Sequence, residues 1–273
     1  MYLHIKQNIT YNFDGKVNSG YQRMILTPQN SDSQKIKNWN VKITGGKKEL
    51  QVEDHFQNIV NLIRVNSDVK TIAIEVEGKV ETYEKFGIIK YNKNDIPLWC
   101  YTQQSKLTRS GKNIFKLRSL INLNNKEIIK KLHLLSNIIR EKVKYVKDST
   151  NYKTTAEDSL KLKKGVCQDH THIFISLVRS FGIAARYVSG FFIPNIIDKN
   201  LSMHSWAEVF VENLGWIGFD VSNGISPDDR YVIIARGFDY NDVVPIKGII
   251  KGVFSETHYS KISIKKINNG PKI

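Results

Sequence analysis

Residues 163–183, KKGVCQDHTHIFISLVRSFGI, combine a glycine turn, a cysteine and a helical pattern in one short stretch. Apolar residues recur at helical spacing and would share one face: Ile173, Phe174, Leu177, Val178 and Phe181. Gly182 marks the end of this helix, and Cys167 lies in its first turn. Unpaired backbone N–H groups and the positive end of the helix dipole stabilise an anion there, such as a thiolate. The stretch predicts a helix that begins with either a packed cysteine or a thiol nucleophile.

The composition is that of a globular protein that can build a hydrophobic core. Of 273 residues, 41% are hydrophobic and 25% are charged, which suits one large domain or two small ones. No apolar run is long enough to cross a membrane, and the start, MYLHIKQNITYNFDG, lacks the blocks of a secretory signal. Two cysteines do not make a disulfide scaffold in a chain of this length. We therefore expect a cytoplasmic location and no membrane span.

The net charge of +15 raises the question of nucleic-acid binding. The lysines are dispersed, however, in segments such as KKEL, KLKKG and SIKKI, and no basic stripe interleaves with aromatic residues. We recognise no nucleic-acid-binding motif. We therefore expect that nucleic acid is not the main partner, although the positive charge would attract acidic partners.

The pattern of apolar residues divides the chain into three parts. Residues 1–90 predict a β-rich N-terminal region, in which TIAIEVEGKVETY, residues 71–83, alternates apolar and polar positions as a half-buried strand does. Residues 91–150 predict a connector and then a helix across 126–147, KEIIKKLHLLSNIIREKVKYVK. Residues 151–273 predict a core with C-terminal strands, in which helices precede an antiparallel sheet. The expected fold class is α+β.

Three single features complete the local predictions. A short helix is expected in TTAEDSLKLKKG, where Thr154 and Glu157 have the spacing of a capping box. His133 is expected at the surface or edge of the helix across 126–147. Cys100, in the apolar segment PLWCY, is expected to be a buried and inert thiol.

A nucleophilic cysteine needs a base, and three histidines are candidates. His170 follows Cys167 by about one helical turn, where side chains stack along the axis and are poorly placed for proton transfer. His172 is five residues on and points elsewhere. His204 begins a strand, in MHSWAEVFVENLGWIGFD, of the sheet that should pack on this helix. A base on a rigid strand can face a nucleophile at a helix start, so His204 is the favoured base.

A third group must orient the imidazole and stabilise its charged form. Asp220 ends the return strand of the hairpin through NLG, and its even offset from His204 puts both on one face of a regular hairpin. A turn centred on Leu214 would pair Asp220 with Glu208, unless a bulge at a glycine shifts the register. On local geometry Glu208 therefore remains a rival for this role.

Metal binding is the competing chemistry for these residues. Cys167, His170, His172 and His204 could be drawn as a zinc set, but C-x2-H-x-H matches no common structural zinc pattern. No segment looks like a calcium loop. We therefore expect no metal and no cofactor.

Three blocks of sequence, in order, carry a family resemblance: GVCQDHTH, GIAARYVSGFF and HSWAEVFVENLGWIGFDVSNG. They resemble the bacterial transglutaminase-like superfamily, over roughly residues 150–245, and the N-terminal part is similar to the β-rich region of its bacterial members. The resemblance implies a papain-like core, with the Cys-bearing helix packed on an antiparallel sheet. It assigns Cys167 as nucleophile, His204 as base and Asp220 as orienting acid. Ser205 and Val221 stand where the family more often has Ala and Pro.

The resemblance also implies an activity on protein or peptide substrates. Cys167 would attack an amide carbonyl to form a thioester, with its own backbone N–H and another donor stabilising the oxyanion. Water as second substrate gives a cysteine protease or amidase, and an amine gives a transglutaminase. We expect hydrolysis, with transamidation and a non-catalytic binding or scaffold role as the alternatives.

Overall fold

The computed structural model describes residues 1–91, 96–123, 127–194 and 201–267. In this part of the chain the strands form two four-stranded sheets, one five-stranded sheet and a two-stranded ladder, accompanied by a few helices. The α+β fold class is therefore confirmed, with a β-rich N-terminal region and a Cys-bearing helix on an antiparallel sheet. None of the described helices is both long enough and apolar enough to span a bilayer.

The N-terminal region is a sandwich of two sheets, ordered β15-β1-β6-β3 and β14-β2-β5-β4. Its strands are β1 (Tyr2–Phe13), β2 (Ser19–Thr27), β3 (Gln34–Thr44), β4 (Gly46–Glu53), β5 (Ile59–Val65), β6 (Thr71–Thr82), β14 (Ile246–Lys251) and β15 (Glu256–Lys266). The alternation in β6 has the expected effect, because Ile72, Ile74 and Val76 are fully buried between the sheets.

The core sheet is antiparallel and has the order β13-β10-β11-β12-β7. Its strands are β7 (Ile88–Ile89), β10 (Ala185–Phe192), β11 (His204–Val211), β12 (Gly215–Phe219) and β13 (Tyr231–Gly237). A short parallel ladder joins β8 (Lys144–Tyr145) to β9 (Lys164–Gly165). The helices are α1 (Lys112–Arg118), α2 (Ile128–Lys142), α3 (Ala156–Leu162), α4 (Cys167–Ser180) and α5 (Tyr240–Val243), and a 3-10 turn covers Leu98–Thr102.

Helix α4 runs through the middle of the core. Its apolar residues pack on Tyr187 of β10 and on Ala207 and Val209 of β11, and α1, α2 and α3 cover its other sides. As a result, α4 is buried on nearly all sides, including its polar residues His170 and His172. The sequence pattern predicted that only the apolar face of α4 is buried, because the pattern does not show which elements cover the polar face.

The boundaries between the parts differ from the sequence prediction. Strands β14 and β15, expected with the core, pair with β2 and β1 and complete the two sandwich sheets. Strand β7, which was expected in the N-terminal region, pairs with β12 in the core sheet. These pairings join segments far apart in the chain, and a local apolar pattern carries no information about them.

The helix predicted across 126–147 is shorter in the structure. It ends at Lys142, because the next residues form β8 and pair with β9. Residues 124–126, at its expected start, and 92–95 of the connector lie outside the described residues. His133 is half-buried at the edge of α2, with its ring 5.0 Å from that of Phe219.

The cap of α3 lies one residue later than predicted. Thr155 and Asp158 form the capping box. Glu157 instead accepts hydrogen bonds from the backbone N–H groups of Asn113 and Ile114 at the start of α1. The glutamate therefore caps a neighbouring helix and not its own.

Two carboxamides of the sandwich bind the free edge of the core sheet at β13. Gln34 donates to the carbonyl of Ile233 at 2.8 Å and accepts from its N–H at 2.7 Å. Asn58 pairs in the same two ways with Arg236, at 2.7 and 2.8 Å. These side chains supply the hydrogen bonds that a further strand would make, so the sandwich braces the core along this edge.

Candidate active site

The turn before α4 is built to place Cys167 as the first residue of the helix. The carboxylate of Asp169 accepts from the N–H of Val166 at 2.8 Å and from the hydroxyl of Thr150 at 2.6 Å. A side chain at Gly165 would come within 2.6 Å of the Asp169 Cβ, so a glycine is needed there. The helix therefore begins with its unpaired N–H groups at the cysteine.

His204 and Asp220 meet at the same end of the core sheet. His204 is the first residue of β11, and Asp220 directly follows β12. The hairpin pairs Ala207 with Phe219 and Val211 with Gly215. Continuing this register would place Asp220 opposite Trp206, two positions from His204, within the diagonal reach of side chains across a sheet. The distance from His204 Nε2 to Asp220 Oδ2 is 2.5 Å.

The hairpin register differs from the one that made Glu208 a rival. Because the turn is centred on Asn213, with φ of 66°, and not on Leu214, the register moves by two residues. Glu208 is fully buried, opposite Gly218, and its Oε2 lies 2.6 Å from Arg186 and 3.1 Å from Arg236. The structure therefore brings Asp220, and not Glu208, to His204.

Asp220 is fully buried, and polar groups surround its carboxylate. Besides His204, the Oδ2 atom accepts from the Tyr231 hydroxyl and from the Asn223 side chain, each at 2.7 Å. The Oδ1 atom accepts from the Asn223 backbone N–H at 3.1 Å. These bonds fix the carboxylate in place and favour its charged form.

The three side chains shift one another's pKa values in the directions that favour an ion pair. Burial raises the pKa of the Cys167 thiol, but the charge of His204 and its hydrogen bond outweigh burial and bring the pKa below its ordinary value. Burial lowers the pKa of His204, yet the charges of Asp220 and Cys167 raise it to about 10. Burial opposes the charge on Asp220 too, and His204 lowers its pKa. The site therefore favours thiolate and imidazolium at neutral pH.

The other two histidines of α4 are occupied elsewhere. His170 donates from Nε2 to the carbonyl of Val143 at 2.9 Å, and the Ser222 hydroxyl lies 2.9 Å from its Nδ1. His172 accepts from the Tyr240 N–H, and burial lowers its pKa to about 4. Within the described ranges no group of three or more His, Cys, Asp or Glu side chains could hold a metal ion.

Tyr145 is a site residue that the sequence analysis missed. Its hydroxyl end interacts with the backbone N–H and the thiol of Cys167, while the side chain as a whole is 49% exposed. Burial and the Cys167 charge raise the pKa of this phenol to about 12, so it stays a neutral donor. The pairing of Tyr145 with Gly165, two residues before Cys167, places it there. The apolar pattern around Tyr145 predicts a helix, so its position beside Cys167 could not be predicted from the sequence.

A cleft of about 290 Å³ opens at His204. Its lining includes Tyr145, Lys147, Phe192, Leu201 and Asn223. Trp206 and Trp216, which could have covered such a cleft, are 1% and 0% exposed and lie in the sheet core.

Two family models match this chain in sequence. The transglutaminase-like superfamily matches residues 118–221, and the bacterial transglutaminase-like N-terminal region matches residues 3–81. Residues 118–221 are therefore transglutaminase-like in sequence. Cys167, His204 and Asp220 all fall within the first match, and six of the eight sandwich strands fall within or overlap the second.

Solved and curated proteins are similar to this chain along most of its length. A crystal structure of a candidate cysteine protease from Cytophaga hutchinsonii superposes with a TM-score of 0.76 at 20% identity, covering 100% of this chain and 92% of that one. An uncharacterized protein of Mycobacterium leprae is 23% identical over 92% of this chain and 93% of its own length. One of Mycobacterium tuberculosis is 27% identical over 88% of this chain and 84% of its own length. The superposition shows that the fold is shared along the whole chain.

Two residues of this transglutaminase-like chain depart from the pattern expected for the family, and both are buried. Val221, which directly follows Asp220, is 0% exposed and belongs to the main hydrophobic core. Ser205, which directly follows His204, is 4% exposed and lies 3.5 Å from the Thr171 hydroxyl of α4. The serine therefore places a polar group next to the first turns of the helix.

Proposed function

We propose that this protein is a thiol enzyme that cleaves peptide or other amide bonds through a thioester on Cys167. The observation that carries the proposal is the contact of His204 with the buried Asp220 and the interaction of His204 with Cys167, with pKa shifts that favour a thiolate. Nucleophile, base and orienting acid come from a helix start and two strands of one sheet, so their geometry is held rigidly. The reaction needs neither a metal nor a cofactor.

The first half of the reaction is acylation. The Cys167 thiolate attacks the amide carbonyl, and a C–S bond forms as the carbonyl oxygen becomes an oxyanion. The Cys167 N–H and the Tyr145 hydroxyl, which contact each other in the free protein, are placed to donate to this oxygen once substrate lies between them. The imidazolium of His204 then donates its proton to the leaving amine, the C–N bond breaks, and a thioester remains.

The second half is deacylation. His204 is now neutral and can take a proton from the attacking water, while its contact with Asp220 stabilises the imidazolium that results. The C–S bond breaks, the carboxylic acid is released, and the thiolate–imidazolium pair is restored. Hydrolysis is supported by the position of Trp206 and Trp216, which are buried in the sheet and do not shield the cleft from water.

Transamidation is the alternative, because an amine could attack the same thioester. The test is to incubate the protein with glutamine-containing peptides, with and without an added primary amine, and to identify the products by mass spectrometry. Backbone cleavage, or conversion of glutamine to glutamate, supports hydrolysis, whereas incorporation of the amine assigns a transglutaminase.

The control for this experiment is Cys167→Ala. Products that persist with the variant would not depend on the thiol, and a variant that keeps every cellular role of the wild type would favour a binding or scaffold function. We further propose a cytoplasmic location, which cell fractionation can test.

A further inference from the structure

A cluster of buried hydroxyl groups lies behind Cys167, on the side away from the cleft. Thr171 follows Cys167 by one helical turn, so both side chains lie on the same face of α4. Ser205 of β11 lies against this face, and its hydroxyl is 3.5 Å from that of Thr171. Both residues are almost wholly buried, at 1% and 4% exposure, so these groups do not reach bulk water.

A third hydroxyl, that of Tyr187, completes the cluster. Tyr187 of β10 pairs with Ala207, which makes it the diagonal neighbour of Ser205 on the same face of the sheet. Its side chain interacts with that of Ser205 and is 1% exposed. Burial raises the pKa of the phenol well above its ordinary range, so it keeps its proton and can donate it.

The hydrogen-bonding capacity of these groups sets the direction of the bonds. A serine hydroxyl has one proton to donate and two lone pairs that accept, whereas a thiolate only accepts. Ser205 interacts with Cys167 and also with Tyr187, and it lowers the pKa of the Cys167 thiol. Ser205 can therefore donate its single proton to the sulfur, while its lone pairs accept from the hydroxyls of Tyr187 and Thr171.

We propose that Ser205 is a thiolate-binding residue, which donates a hydrogen bond to Cys167 and is held in that orientation by Tyr187. The inference rests on the proposed function, since it requires that Cys167 reacts as a thiolate. It gives a chemical role to the serine that stands where the family more often has alanine. The sulfur would be bound from two sides, by His204 towards the cleft and by Ser205 from within the core.

Few other groups near the sulfur can change charge. Those that face it or its neighbours are His204 and Asp220 from the sheet, Tyr145 from β8, Tyr187 from β10, Tyr240 from α5 and Asp169 in the same turn of α4. Burial raises the pKa of all three phenols, so they stay neutral while the thiol titrates. Burial also raises the pKa of Asp169, whose carboxylate accepts hydrogen bonds from the Thr150 hydroxyl and the Val166 N–H.

The test measures alkylation of Cys167 by iodoacetamide as a function of pH in the full-length protein, quantified by peptide mass spectrometry with Cys100 as internal reference. Ser205→Ala should slow the reaction of Cys167 about tenfold near pH 6, since a hydrogen bond to a charged group is lost. At high pH, where both proteins are fully ionised, the rates should converge. Tyr187→Phe should give a smaller loss, and the double variant should be no slower than Ser205→Ala alone.

Ser189→Ala is the matched control. Ser189 lies directly opposite Ser205 in the sheet and is equally buried at 4%, so its variant loses a hydroxyl of the same kind on the same face. It should react like the wild type. Ser205→Thr keeps the hydroxyl, so Cys167 in this variant should be alkylated at most of the wild-type rate. Thermal melts show whether each variant is folded. If a variant at Ser205 does not fold, Tyr187→Phe still tests whether the hydroxyl cluster stabilises the thiolate.

Three results would overturn the inference. Equal rates for wild type and Ser205→Ala near pH 6 would mean that the hydroxyl does not stabilise the thiolate. An equal loss at every pH would indicate a packing effect. If wild-type Cys167 itself reacts only as fast as Cys100 near pH 6, the proposed function fails together with the inference, since there is no thiolate to bind.

Discussion

The Nε2 atom of His204 lies 2.5 Å from the Oδ2 atom of Asp220, and the two side chains are only 11% and 0% exposed. Because water is largely absent from this contact, the aspartate charge acts strongly on the ring. It keeps His204 protonated, and the imidazolium in turn lowers the pKa of the Cys167 thiol. The protonation state of Cys167 therefore depends on the carboxylate of Asp220, although the two groups need not be in contact.

Replacing Asp220 by Asn tests this dependence. The amide has no charge to stabilise the imidazolium, so we expect His204 to lose its proton and the alkylation of Cys167 near pH 6 to fall by about 100-fold or more. Asp228→Asn is a suitable control, because that carboxylate pairs with Arg230. A folded Asp220→Asn protein with undiminished reactivity would remove Asp220 from the proposed triad.

The ion pair of Cys167 and His204 also predicts a pH range in which its contribution to the free energy of unfolding does not change. The ordinary pKa values are 6.5 for His204 and 9.0 for Cys167, while in the folded protein the first is raised to about 10 and the second is lowered. The contribution of His204 to the free energy of unfolding is fully present below pH 6.5 and is lost as the pH rises towards about 10. The contribution of Cys167 is fully present above pH 9.0 and is lost as the pH falls through its lowered pKa. At a pH above 6.5 and above the lowered pKa of Cys167, but below 9.0, the folded and the unfolded protein each hold one proton on this pair, so the two slopes cancel.

Cys167→Ser removes one of these two slopes. The free energy of unfolding of the variant should fall as the pH rises from 6.5 towards 9.0, whereas that of the wild type should stay level once the pH exceeds the lowered pKa of Cys167. Urea unfolding at a series of pH values measures both curves. Parallel curves would mean that no ion pair forms in the folded protein.

Tyr145→Phe separates oxyanion binding from thiol activation. Loss of one oxyanion donor should reduce kcat by about 100-fold, with a smaller effect on KM. Alkylation by iodoacetamide forms no oxyanion, so its rate should stay within a few fold of the wild type. Tyr152→Phe, an exposed tyrosine close by in the chain, serves as control. An equal loss in both reactions would assign Tyr145 to the thiolate and not to the oxyanion.

Glu208→Gln should affect stability and leave the thiol chemistry in place. The carboxylate of Glu208 is buried between Arg186 and Arg236, and removing one partner of a buried ion pair costs about 3–5 kcal/mol. Urea unfolding should show this loss, while Cys167 of the folded variant keeps its alkylation profile. If Cys167 in the folded Glu208→Gln variant is no longer alkylated rapidly, Glu208 and not Asp220 would be the group that orients His204.

Gln34→Ala tests the brace between the sandwich and the core. The change leaves the N–H and the carbonyl of Ile233 without the side chain that pairs with both, which should cost about 1–3 kcal/mol of unfolding free energy. Gln51→Ala, at an exposed glutamine of β4, should cost much less. Equal and small losses would show that the carboxamide contacts contribute little.

Local patterns in the sequence were sufficient where the structure follows local rules. The alternation across residues 71–83 predicts β6, because a half-buried strand repeats every two residues. The glycine turn and apolar face in residues 163–183 predict α4 and the position of Cys167 in its first turn. Both features depend only on neighbours within a few residues.

Features that depend on distant partners could not be predicted. Tyr145 continues a helical pattern, and only its pairing with Gly165 turns that segment into a strand. The hairpin register depends on which residue of the turn adopts a left-handed conformation, and Asn213 does so where the turn was expected at Leu214. Glu208 became a rival for this reason, since a shift of two residues changes which acid lies near His204.

The pairing of β15 with β1 has a consequence for the order of folding during synthesis. Ile9 in β1 lies opposite Ser260, so β1 has no neighbour on its outer side until the ribosome has also made β15. At about 5–20 residues per second, this interval is roughly 10–50 s. Throughout it, one edge of the nascent sheet is open to pairing with other chains. We expect chaperones to matter most for this protein in that interval, before β15 emerges.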